Sequence, residues 1–193
     1  MRVWSQQNFG EDLIFAHRNG AMYYWDASAA SGDLATRAVE LTSLAGASNV
    51  PTVVNNILVS DINRFVFCFG TNVLGSSSKD PMLIRWSDQE SAVEWSPSAI
   101  NQAGSLRLSR GTEIVAAMQA RQELLVWTDS SLYSLQYVGA GSGVWAAQLV
   151  GEQISIASQN SVAYASGVSY WMGKDKFYKY DGSTQPLQCD LRK

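Results

Sequence analysis

Three times along the sequence an apolar, aromatic-rich run meets a short polar turn and gives way to a second such run. Leu13–Asp26 reads LIFAHRNGAMYYWD, with Asn19 and Gly20 at its centre. Asn-Gly between two such runs is a strong hairpin signal, because both central positions of a type I′ turn need positive φ. Leu124–Tyr137, LLVWTDSSLYSLQY, repeats the plan around Asp129, Ser130 and Ser131, and Ser169–Asp181, SYWMGKDKFYKYD, repeats it around Gly173, Lys174 and Asp175. A chain built this way pairs neighbouring segments as antiparallel strands. The composition agrees: 11% aromatic, 15 Gly and only 16% charged residues suit pleated, half-buried surfaces with frequent turns.

A longer unit runs from Val53–Ser60 through a turn at Asp61–Asn63 to Phe65–Gly70, then across a polar loop to Met82–Trp86. Glu113–Ala120 directly precedes the second hairpin and is predicted to be its inner neighbour. With Trp25, Trp86, Gln136 and Tyr180 taken as equivalent strand ends, successive units lie roughly 45 to 60 positions apart. That is near the four-stranded blade length of about 40 to 50 residues in propeller repeats. The reading is all-β, a β-propeller-like array of antiparallel blades, incomplete in this chain. A β-sandwich or irregular barrel also fits short, evenly spaced strands. Residues 1–193 read as a single propeller-like domain or a fragment of a longer one. Ala27–Asn49, rich in Ala, Ser and Gly, reads as a loop insertion, with a turn or two of helix within Leu34–Leu44. Long insertions of this kind are surface loops where partner contacts gather.

Charge and hydropathy narrow the function classes. The net charge is −3, the pI is near 5.1, and no stretch gathers the basic residues that a phosphate-neutralising surface requires. The longest apolar runs fall far short of the roughly 18 residues of a membrane span, and acidic residues interrupt the N-terminus where a signal peptide needs an apolar core. A soluble, cytoplasmically made protein is expected. Cys68 and Cys189 form no CxxC pair, which leaves zinc and a disulfide framework unsupported; Cys68, inside an apolar run, reads as a buried free thiol.

Catalytic chemistry finds little purchase. His17 is the single histidine, without a second imidazole for a metal pair or an evident nucleophile beside it, so a structural or solvent-facing role is expected. Phosphate-binding, HExxH and calcium-loop motifs do not occur, and Gly139–Gly143, GAGSG, reads as a plain turn. No cofactor and no metal site is expected. Asp88 and Glu90 lie in RWSDQESAVEW, Arg85–Trp95, which loosely resembles the Asp-box turn of sialidase propeller blades but lacks its Gly. Asp in such a turn caps backbone amides, and Asp129 in WTDSS reads the same way. Tyr23, Trp25, Trp127, Tyr133, Tyr137, Tyr170, Trp171, Phe177, Tyr178 and Tyr180 could line a sugar platform. Alternation along strands and the area of each ring favour packing between layers instead. The structural turn and packing candidates are Trp25, Asp26, Trp86, Asp88, Trp127, Asp129, Trp171 and Asp181.

The runs VWSQQNFGEDLIF…GAMYYWDAS, PTVVNNILVSD, DPMLIRWSDQE, AGSLRLSRGTEIV, RQELLVWTDSSLYSLQY and VSYWMGKDKFYKYDG resemble those of tailed-phage virion structural proteins. The group concerned is the tail tubular, nozzle or packaged-DNA-stabilisation-like proteins, and the likeness runs from about Val3 to Leu191 with motif order kept. Members of that group are usually longer at both ends; QPLQCDLRK stops where another strand is expected, so the chain reads as a fragment or truncated product. The resemblance implies a non-enzymatic component of a phage tail or head-to-tail connection, made in the host bacterial cytoplasm. It implies a homo-oligomeric ring, often six-fold, partnered by portal, adaptor and tail proteins and in passing contact with DNA at most. Ala27–Asn49 and Gly70–Asp80 are the expected contact loops. The competing expectation is a carbohydrate-binding or glycan-cleaving propeller domain of a phage tail, which needs two carboxylates about 5 to 10 Å apart.

Overall fold

The computed structural model describes residues 3–28, 36–139, 141 and 143–188. The fold is all-β: four four-stranded antiparallel sheets, each a simple meander in which every strand pairs with its sequence neighbours. This is the blade pattern of a propeller-like or sandwich-like protein, and the sheets are not closed into barrels. Sheet 1 holds β1 (Trp4–Phe9), β2 (Asp12–His17), β3 (Met22–Trp25) and β4 (Val39–Glu40); sheet 2 holds β5 (Asn56–Val59), β6 (Val66–Asn72), β7 (Lys79–Trp86) and β8 (Gly104–Arg107). Sheet 3 holds β9 (Ile114–Gln119), β10 (Leu124–Thr128), β11 (Ser131–Gly139) and β12 (Val144–Glu152); sheet 4 holds β13 (Val162–Ala165), β14 (Val168–Met172), β15 (Phe177–Tyr180) and β16 (Thr184–Pro186). The four marker residues Trp25, Trp86, Gln136 and Tyr180 all lie on the third strand of their sheets.

The chain divides into two compact units, Met1–Leu108 and Ser109–Lys193. In the first, sheet 1 sends Ile14, Ala16 and Met22 into one core with Ile57, Val59, Val66 and Cys68 of sheet 2, closed by Leu41 and Trp95. Strands β1 and β5 meet along this seam, where the Ile57 amide donates to Ser5 Oγ at 3.2 Å. In the second, Ala116, Leu125, Trp127 and Leu132 of sheet 3 share a core with Trp171 and Tyr180 of sheet 4. Each seam is made by side chains two apart along a strand, as the pleat requires.

Burial differs between the sheets in a way the sequence encodes. All residues of β5, β6 and β10 are buried; these strands are built on the apolar runs ILV, VFCF and LLVW, fit to be covered on both faces. In β14, buried Ser169 and Trp171 alternate with exposed Tyr170 and Met172, the pattern of a strand covered on one face.

Three local features differ from expectation. The first hairpin is not a type I′ turn: Asn19 is left-handed at φ 62°, whereas Gly20 is not, and a Cβ at Gly20 would come within 2.0 Å of the His17 ring, which would have to move aside. The polar loop after Gly70 is shorter than predicted, since β6 runs on to Asn72 and β7 begins at Lys79. Tertiary hydrogen bonds hold those polar residues in the sheet: Thr71 Oγ1 donates to the Val53 carbonyl at 2.9 Å, and Asn72 Oδ1 accepts from the Thr52 amide at 3.0 Å. Within Ala27–Asn49, described at 27–28 and 36–49, the chain gives β4 and a single 3-10 turn at Leu41–Ser43 whose Leu41 is buried. Gln185 and Pro186, the first residues of QPLQCDLRK, belong to β16, and Cys189 lies outside the described residues.

Candidate functional site

The eight marked Trp and Asp residues sit at strand ends and in seams, spread over all four sheets. Trp25 ends β3 and is half-buried; its Nε1 donates to the Thr36 carbonyl at 3.0 Å. Beside it, Asp26 Oδ1 accepts from the Ser28 amide at 2.9 Å and the Ser28 hydroxyl at 2.7 Å. This is the local turn that a short carboxylate makes with its own backbone. Trp86 ends β7, is buried, and donates from Nε1 to the Gln102 carbonyl at 2.8 Å. The indole lies so close to the paired residue Gly104 that a Cβ there would stand 2.6 Å from Cζ2; only glycine lets β8 approach.

Asp88 lies just beyond β7, where its Oδ1 accepts from the amides of Gln89 and Gln102, both at 2.8 Å. The missing Asp-box glycine has a counterpart in conformation: Glu90 is left-handed at φ 56°. Ser87 and Trp95 complete the turn, the latter buried with Nε1 donating to the Ala92 carbonyl at 2.8 Å. An open depression of about 450 Å³ lies beside it, lined by Asp88, Gln89, Glu90, Ile100, Asn101 and Gln102.

In the second unit, Trp127 and Trp171 meet edge to face with ring centroids 5.5 Å apart, and Trp171 stacks on Tyr178 at 5.3 Å. Trp171 Nε1 donates to the Ser155 carbonyl at 3.2 Å, while the buried Nε1 of Trp127 has no hydrogen-bond partner. Asp129 closes the β10–β11 turn and accepts from the Thr112 amide at 2.8 Å and the Thr112 hydroxyl at 2.7 Å. Burial pulls its carboxyl upward, but hydrogen bonds from Thr112 and Glu113 outweigh that and hold it below the usual carboxylate range. Asp181 is exposed and held low chiefly by Lys179, whose Nζ lies 2.9 Å away. Of the eight, the structure brings Trp127 and Trp171 into contact; the carboxylates serve separate turns.

Sequence reasoning missed two polar arrangements. Arg85, buried on β7, donates from Nη2 to the carbonyls of Asn49 at 2.6 Å and Trp95 at 3.4 Å, and from Nη1 to that of Asn72 at 3.4 Å. It borders a 270 Å³ cavity with Asn49, Thr52, Asn72 and Ser76. Burial lowers the pKa of its guanidinium. The signal was an Arg inside the apolar run MLIRW, where a charge is out of place unless it is anchored. The second is Glu123, which accepts from the Ser134 hydroxyl and, after burial, contributes to raising the Tyr180 phenol.

The remaining candidates resolve simply. His17 packs edge-on to Trp4 at 5.5 Å and shares Nδ1 with the Arg18 carbonyl at 3.2 Å. The Cys68 thiol is fully buried, 3.2 Å from Met22 Sδ, and burial pushes it far above the ordinary thiol range. Gly139 ends β11, and Gly141 and Gly143 lie between β11 and β12. Of the aromatic set, Trp127, Tyr133, Trp171 and Tyr180 are buried and Tyr137, Tyr170 and Phe177 are exposed. Among the described residues, no group of three or more His, Cys, Asp or Glu is placed to hold a metal ion, and no helix is long and apolar enough to cross a membrane.

Fold and side chains together define an all-β protein of blade-like sheets whose marked residues bind its own backbone and core. The chain matches no protein-family model and no curated protein.

Proposed function

We propose that this chain is a non-enzymatic structural component of a tailed-phage virion, a building block of the tail or of the head-to-tail connection that forms part of a DNA conduit. The observation that carries the reading is the use of the marked side chains. The carboxylates of Asp26, Asp88 and Asp129 are spent on backbone amides, and the rings of Trp86, Trp127 and Trp171 on packing. Residues committed in this way stiffen strand ends and seams, which is what a load-carrying part needs. The sequence likeness to tail tubular and nozzle-like proteins supplies the virion context. The mechanism is mechanical: a ring repeats one contact around an axis, and a wall without a strongly basic surface lets DNA pass without holding it by counterion release. The net charge of −3 suits such a wall.

In this reading the protein is made in the host cytoplasm, assembles with portal, adaptor and tail proteins, and touches DNA only in transit. The test is to mix the purified protein with a phage portal or adaptor complex and image the products by electron microscopy. Rings bearing an axial channel and bound to the portal side support the reading. Binding to a glycan array, or cleavage of capsular polysaccharide, without any such assembly would replace it with the carbohydrate-directed alternative.

A further inference from the structure

Strand β7 carries a positive charge, that of Arg85, into the first unit. The residue is 2% exposed, and its guanidinium donates to the carbonyls of Asn49, Trp95 and Asn72. The contacts to Trp95 and Asn72 are 3.4 Å long, at the weak end of the hydrogen-bond range, and the fork has donors beyond these. Among the described residues no Asp or Glu forms an ion pair with it. The ionisable group that acts on it is Cys68, whose thiol burial keeps neutral. Carbonyl dipoles occupy donors but cancel no charge, and a charge removed from water without a counter-charge is costly.

That charge lies beside an opening. The 270 Å³ cavity it borders is lined by buried Arg85, Asn72 and Val50 and by exposed Thr52, Ser76 and Ser77 at the rim. A water takes up about 30 Å³, so there is room for a small group with part of its hydration. Asn72 fixes both sides: its Oδ1 accepts from the Thr52 amide at 3.0 Å, and its Nδ2 donates to the Ser76 carbonyl at 2.8 Å. Walls set in this way lower the ordering cost of binding. Among the described residues no second cation lines the cavity; Lys79, at the start of β7, donates to Asn19 and Asn55.

We propose that this cavity is a binding site for a single carboxylate group, with Arg85 supplying the charge and the hydroxyls of Thr52, Ser76 and Ser77 the further donors. One guanidinium balances one negative charge, whereas a dianion such as sulfate brings an excess charge into a site with no second cation to meet it. Carboxylate oxygens suit N–H and O–H donors together, and Val50 gives an apolar wall for the carbon that bears them. The carboxylate belongs either to a small free acid or to the end of a protein chain, since the exposed rim admits both. The site does not rest on the virion reading: binding to the pure protein establishes it whatever the biological setting.

The test is a nuclear magnetic resonance titration of the full chain near neutral pH, with sodium acetate replacing sodium chloride at constant ionic strength. Saturable shifts of the Thr52, Ser76 and Ser77 amides are expected from acetate and from N-acetylalanine, which mimics a chain end, and none from neutral N-acetylalaninamide. N-acetylalanine bound at least as tightly as acetate assigns the site to a chain end, and weaker binding assigns it to a small free acid; either supports the proposal. Ser77→Asp sets a carboxylate on the rim and is expected to weaken acetate at least tenfold. Arg85→Met is expected to do the same wherever circular dichroism shows it folded. Wild type without saturable shifts overturns the proposal. So do equal shifts from the neutral amide, sulfate bound as tightly as acetate, or a folded Ser77→Asp variant that binds acetate like wild type.

Discussion

The amide of Glu90 donates to the Arg64 carbonyl at 3.1 Å, and both residues are left-handed, at φ 56° and 51°. Two non-glycine residues in this region, joined by a hydrogen bond, tie the β5–β6 turn to the Asp88 turn. The Arg64 guanidinium also lies over the Phe9 ring at 5.2 Å, which links the same corner to β1. Removing the Cβ at Glu90 relieves roughly 1 kcal/mol of steric cost, and the added freedom of the unfolded chain takes back a similar amount. Glu90→Gly is therefore expected within about 1 kcal/mol of wild type, whereas Glu90→Val, β-branched at positive φ, is expected to destabilise by more than about 1 kcal/mol. Urea denaturation of the two variants measures the difference, and equal losses would show that the conformation is not constrained at this position.

Arg85 holds three backbone carbonyls that belong to separate segments of the first unit. Arg85→Met keeps the length of the side chain and removes every donor, leaving polar groups without partners; roughly 2–4 kcal/mol of stability is expected to go. Arg85→Lys should recover only part of this, because an ammonium offers a compact point of donors where the fork spans several acceptors. Denaturation midpoints of the two variants check the order, and a fully stable lysine variant would contradict the clamp.

The Trp127–Trp171 contact lies in the core of the second unit. Trp127→Ala leaves a cavity against Trp171 and is expected to cost about 3–5 kcal/mol. Trp127→Phe keeps a ring and removes the indole N–H that has no partner, so its cost should stay below roughly 2 kcal/mol. Thermal melts followed by near-ultraviolet circular dichroism read both the stability and the loss of the tryptophan couple.

Asp129 carries a pH dependence whose sign is fixed by its hydrogen bonds. In the fold its carboxyl lies below the usual range; in the unfolded chain it titrates near 3.9. The stabilisation is therefore complete above the unfolded value and is lost as pH falls through the folded one. Wild type should exceed Asp129→Asn by a constant margin near neutrality, and the margin should close below about pH 4. Melting temperatures of the pair across the acid range measure it; a margin that grows on acidification would refute the assignment.

Much of the fold was readable because the hairpins carry their own punctuation. Asn19-Gly20 and Asp129–Ser131 bracket strands whose aromatic and aliphatic runs leave few other options, and Trp25, Trp86, Gln136 and Tyr180 mark third strands throughout. The strands that sequence did not announce are edge or short ones. In β1, WSQQNF is mostly exposed; β4 has two residues and β8, GSLR, four, so neither length nor hydropathy lifts them above a loop. β12, VWAAQLVGE, alternates weakly and follows a glycine-rich turn. At the site level, the turn carboxylates were visible from their neighbours in sequence. The Arg85 clamp was not, since its acceptors at Asn49, Asn72 and Trp95 are brought together only by the folded chain.

Among the described residues, the ladders of each sheet join strands adjacent in sequence, and this has a kinetic meaning. Each sheet closes loops of a few residues, apart from the longer connections before β4 and β8, so most of its hydrogen bonds require little prior search of chain conformations. Sheet 1 can therefore take shape on the ribosome while β5 onward is still being made, leaving its apolar face bare until sheet 2 emerges. The dangerous interval in the life of this polypeptide is then during translation, between completion of one meander and arrival of the next.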